Sequence, residues 1–99
     1  MTTYTCKPGH DRAAALSAAA AALAAGQLVV TPTDTVYGIA CDAFSPAAVA
    51  ALLAAKHRGP DMPVPVLVGS WQAAEDIAGE LPAAALTLMK AYWPGGLSV

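Results

Sequence analysis

The chain has 99 residues, is 57% hydrophobic and 12% charged, and carries a formal net charge of −2, with a pI near 5.4 and a mean hydropathy of +0.51. This balance excludes a disordered tail, which lacks apolar surface, and a non-specific nucleic-acid binder, which needs a basic face; the lysines and arginines are Lys7, Arg12, Lys56, Arg58 and Lys90. At this length roughly two thirds of the unfolded chain's surface can be buried, so stability is thin.

In chain order, the alternation Thr3-Tyr4-Thr5-Cys6 is compatible with a short edge strand closed by Pro8-Gly9. Asp11 is placed to cap a helix running to about Ala25, with Gly26 as its stop signal and Leu16, Ala20 and Leu23 on one face. The apolar run Ala13 to Ala25 is too short for a membrane span of ~20 residues and lacks the features of a signal peptide, so no membrane and no targeting segment are expected. Cys6 and Cys41 have no metal-ligand spacing and read as reduced small hydrophobes, which fits a cytoplasmic protein.

Gln27 to Thr31 reads as a buried strand that Pro32 ends. The next stretch, Pro32-Thr33-Asp34-Thr35-Val36-Tyr37-Gly38, holds more hydrogen-bonding capacity than a connection requires. At the carboxyl end of a strand in an open α/β sheet, it is expected to line a ligand crevice. The residues leave alternatives open: Thr33 and Thr35 suit an ST-turn as well as a ligand, Asp34 suits an Asx-turn as well as magnesium, and Tyr37 suits a half-buried ring as well as a stacking platform.

Ser45-Pro46 starts a second helix, expected to run to about Lys56 with Val49, Leu52 and Leu53 buried. Lys56 and Arg58 then stand beside Gly59-Pro60. They suit a polyphosphate, with arginine as a fork and lysine as a point charge, or they simply favour the negative end of the helix dipole. His57 between them reads as solvated. Pro63 to Gly69 predicts a strand interrupted by Pro65, Ser70 caps a short helix to about Ala78, and Leu81-Pro82 opens a helix to about Ala91 with Leu86, Leu88 and Met89 apolar. Trp71 and Trp93 read as core or cover, and Leu97-Ser98-Val99 as the first residues of a strand. The pattern is β-α-β-α-α-β, a piece of a larger α/β sheet. No nucleophile triad and no glycine-rich P-loop is present, and no catalytic residue is identified.

The order and spacing of Thr31-Pro32-Thr33-Asp34-Thr35-Val36-Tyr37-Gly38, Asp42-Ala43-Phe44, Ala55-Lys56-His57-Arg58, Met62-Pro63, Val66-Leu67-Val68 and Trp93-Pro94-Gly95 resemble the YrdC-like threonylcarbamoyl-AMP synthases over roughly residues 12 to 99. The resemblance implies an α/β fold with a twisted mixed sheet and helices packed on it, YrdC/RibB-like. Residues 1–99 would be the amino-terminal part of one such domain, truncated to about half its length. It implies a nucleotidyltransferase that joins L-threonine, bicarbonate and ATP into threonylcarbamoyl-AMP and pyrophosphate for tRNA modification, with magnesium accompanying the ATP. tRNA would be reached through downstream modification enzymes, and double-stranded RNA is a further partner that the family allows. On that template Thr35, flanked by Thr33 and Tyr37, would contact L-threonine, while Lys56 and Arg58 would hold the nucleotide phosphates.

Several positions depart from the family pattern: Gly59 intervenes before Pro60, Met62 and Leu67 stand where polar residues are common, and Gly96 follows Trp93-Pro94-Gly95. A downstream Ser-x-Asn-like block of the family is absent from these residues. The competing readings are a related carbamoyl-transfer domain, an RNA-binding paralogue, or a non-enzymatic interaction module with an exposed sheet edge.

Overall fold

The computed structural model describes residues 1–99 and divides into two compact units, Met1–Met62 and Pro63–Val99. Its elements are α/β: four helices and one small antiparallel sheet.

In the first unit, helix α1 spans Arg12–Ala24. It begins where expected, because the Asp11 carboxylate accepts the Ala14 N–H at 3.0 Å and satisfies one of the first-turn donors. It ends at Gly26, whose φ of 79° is one that residues with a Cβ adopt reluctantly. Of the expected face, Leu23 is half-buried while Leu16 and Ala20 are exposed; the inward side is carried instead by Ala15, buried, and by Ala18, Ala19 and Ala22, half-buried. Alanine on every face removes the periodic contrast that would select a side, and small residues let the helix lie close to strand β1, Val29–Thr31, which it contacts.

Strand β1 pairs with β2, Gly38–Ala40, in the register Val29↔Ala40, Val30↔Ile39, Thr31↔Gly38. The stretch Pro32–Tyr37 is therefore the loop of a hairpin, a local turn-back and not the end of a strand in a parallel crossover. Strand β2 had no counterpart in the sequence reading: its three residues carry one β-branched side chain, and a six-residue loop lacks the short turn signals of a tight hairpin.

Helix α2, Pro46–Ala55, follows the expected start, with Ser45 Oγ accepting the Ala48 N–H at 3.2 Å and Pro46 in the first turn. Ala48, Leu52 and Leu53 are buried and Val49 is half-buried. Ser45→Ala is expected to cost about 1 kcal/mol through the lost cap. A urea titration followed by circular dichroism measures it, and an unchanged midpoint would mean that water replaces the hydroxyl at no cost.

The second unit holds α3, Trp71–Ala78, and α4, Ala83–Tyr92. Ser70 Oγ accepts the Ala73 N–H at 3.1 Å, and Gln72 reaches Asp76 one turn later at 3.1 Å on the exposed face. Met89 is buried, Leu86 half-buried and Leu88 exposed. After α4, Trp93 Nε1 donates to Leu97 O at 2.8 Å, closing the Trp93–Gly96 turn. Gly95 is required there, since a Cβ would lie 2.7 Å from Tyr92 O.

Three expected strands do not form. Residues 3–6, 63–69 and 97–99 are in no ladder, and the only sheet is the β1–β2 pair. A strand exists only with a partner to take its N–H and C=O groups, and Pro63 and Pro65 each remove a donor from the central segment. Val66 and Leu67 are consequently exposed.

Candidate functional site

The hairpin loop is built around Thr33. Its hydroxyl accepts the Thr35 N–H at 3.3 Å, an ST-turn, and donates to Val36 O across the loop. The Thr35 hydroxyl lies 3.4 Å from the Thr33 hydroxyl oxygen. Thr33 also packs its methyl towards the base of the hairpin, where a Cβ at Gly38 would stand 3.3 Å from it. The local hydrogen bonding thus fixes Thr33 as the strut of the loop and leaves Thr35 and Asp34 facing solvent. Asp34 makes no side-chain hydrogen bond; the Asx-turn of this region belongs instead to Asp42, which accepts the Phe44 N–H at 2.9 Å.

Tyr37 is 77% exposed. It lies on the rim of an open groove of about 800 Å³ bounded by the amino-terminal segment, α1 and β1, with Tyr4, Leu16, Ala19 and Val30 among its lining residues. These apolar residues carried no chemical signal in the sequence. Pro32 also reaches the groove, whereas Thr33, Asp34 and Thr35 do not, and neither do Lys56 and Arg58.

Lys56 and Arg58 stand at the carboxyl end of α2, both exposed. The helix stops because His57 takes a left-handed conformation, φ 55°. Its N–H then donates to Ala54 O at 3.1 Å, and the Arg58 N–H to Leu53 O at 2.9 Å, so the last carbonyls are satisfied by the backbone itself. His57 is exposed, as expected of a solvated side chain, but its positive φ was not expected: histidine adopts that conformation more often than most residues with a Cβ, yet far less regularly than glycine. The structure gathers Thr33, Thr35 and Tyr37 in one loop and Lys56 with Arg58 in another; no hydrogen bond joins the two loops.

No group of three or more His, Cys, Asp or Glu side chains is arranged to hold a metal ion. Asp34 by itself fits only a magnesium ion that brings phosphate oxygens with it, since that ion takes one or two carboxylates and completes its octahedron with phosphate and water. No helix is long and apolar enough to cross a membrane.

The chain belongs to the Sua5/YciO/YrdC family, whose model, described as "Telomere recombination", matches residues 21–99. Among curated relatives it is 54% identical over 97 residues to a Mycobacterium tuberculosis protein named "Putative threonylcarbamoyl-AMP synthase", covering 98% of this chain and 45% of that protein. It is 39% identical over 84 residues to "Threonylcarbamoyl-AMP synthase" of Bacillus subtilis, covering 85% of this chain and 24% of the relative. It is also 39% identical over 74 residues to the protein of that name from Pyrococcus abyssi, covering 75% and 22%. The chain thus spans less than half the length of these relatives. No solved structure matches it significantly.

Proposed function

We propose that these residues form part of an L-threonylcarbamoyladenylate synthase, a nucleotidyltransferase serving tRNA modification in the cytoplasm. The observation that carries the reading is the 54% identity over nearly the whole chain to a protein named for that activity. The site geometry is compatible with it: Thr35, Thr33 and Tyr37 share a loop held by its own hydrogen bonds, and Lys56 and Arg58 are two free cations at a loop end.

The chemistry needs little covalent help from the protein. The amine of L-threonine combines with bicarbonate to give a carbamate and water. A carbamate oxygen then forms a bond to the α-phosphorus of ATP while the bond from that phosphorus to the α–β bridging oxygen breaks, and pyrophosphate leaves. Lys56 and Arg58 would neutralise charge gathering on the phosphates, and the loop would orient the amino acid so that its carbamate oxygen faces that phosphorus. Magnesium, carried by the triphosphate, would share in the neutralisation. A polypeptide of these 99 residues, spanning 45% of the relative, is expected to release no pyrophosphate from ATP in the presence of threonine and bicarbonate.

Thr35→Ala, placed in a complete domain, tests the amino-acid subsite. The KM for threonine is expected to rise about tenfold, the effect of one lost hydrogen bond to a charged group, with little change in ATP affinity. The reverse pattern would move Thr35 to the nucleotide side.

A further inference from the structure

Two helices of the first unit end in the same hydrogen-bonded turn, one on glycine and the other on histidine. At the end of α1 the Gly26 N–H donates to Leu23 O and the Gln27 N–H to Ala22 O, both at 3.0 Å. At the end of α2 the corresponding donors are His57, to Ala54 O, and Arg58, to Leu53 O. In the second unit the turn after α3 also places a glycine, Gly79, at positive φ. Histidine therefore occupies the one left-handed helix end that lies between two cations. Glycine is present two residues further on, at Gly59, where φ is not positive. Histidine adopts this conformation more readily than most residues with a Cβ but less readily than glycine, and the exposed imidazole makes no hydrogen bond within the fold.

The turn also decides what an anion would meet there. The amides of His57 and Arg58 are directed into the helix end and occupied by carbonyls, so no backbone donor is left to form an anion cradle. The carbonyl end of a helix repels negative charge, and only side chains can reverse that. We propose that the His57 imidazole is a third donor to the phosphate group held by Lys56 and Arg58, with histidine placed where glycine would make the better helix end. The proposal rests on the phosphate-binding reading of Lys56 and Arg58.

The test is a titration of the 99-residue protein with inorganic pyrophosphate, followed by amide chemical shifts of residues 54–59, for the wild type, His57→Gly, His57→Asn and Arg58→Ala. His57→Gly is expected to melt higher than the wild type and to bind pyrophosphate about three- to tenfold more weakly, the range of one hydrogen bond. His57→Asn tolerates the left-handed backbone and keeps an amide donor, so it should retain most of the affinity. A glycine variant that binds as tightly as the wild type overturns the proposal and leaves His57 as a helix stop. A wild type that shows no response at these residues, or an Arg58→Ala variant that binds unchanged, removes the phosphate reading and the proposal with it.

Discussion

Arg58→Ala in a complete domain should weaken ATP binding by about 1.5–3 kcal/mol, or roughly 10- to 150-fold, because a charge-assisted contact to phosphate is lost. The fold should be almost indifferent: the side chain is exposed, and the residue holds the helix end through its backbone N–H to Leu53 O, which alanine keeps. Isothermal titration with ATP, paired with a melting curve, separates the two effects. Unchanged affinity would return Lys56 and Arg58 to the modest role of cations at a helix's negative end.

Leu52→Ala should act in the opposite way, on stability first. Leu52 is 6% exposed and shares the buried face of α2 with Ala48 and Leu53. Truncating it should cost about 2–5 kcal/mol, the lost transfer energy plus the cavity left behind. The buried apolar residues are Ala15, Ala48, Leu52 and Leu53 in the first unit and Ala74 and Met89 in the second, three of the six being alanine, so such a loss is comparable to the whole stability of a small domain. Far-ultraviolet circular dichroism of the variant at 25 °C should show lost helix. Retention of the full signal, with a melting midpoint within a degree or two of wild type, would mean that α2 is not anchored through this residue.

The sequence was legible where one residue performs a local task. Asp11, Ser45 and Ser70 each cap the helix expected of them, and Gly26 ends α1, because a side-chain oxygen or a missing Cβ acts within a single turn. The candidate residues were legible as residue types in a family pattern. What escaped was whatever depends on a partner distant in sequence or on contrast between faces. Val64 to Val68 has strand composition but no ladder, β2 has a ladder but little strand composition, and the inward side of α1 was hidden among its alanines. Of Thr33 and Asp34, either residue type could have organised the loop; in the fold Thr33 does so and Asp34 makes no hydrogen bond. The left-handed turn at His57 was hidden because its cause is the pair of carbonyls, Ala54 O and Leu53 O, three and four residues upstream that need donors, not the identity of the residue.

The hairpin register has a kinetic consequence. The pair that closes the candidate loop joins Thr31 to Gly38, so the segment bearing Thr33 and Thr35 is shaped by contacts only a few residues apart along the chain. Closure over such short separations takes about 1–10 μs, whereas pairings between distant segments wait for a larger loss of chain freedom. The threonine-bearing loop can consequently recur as a transient shape in the unfolded ensemble, ahead of the contacts that would give it a ligand to hold.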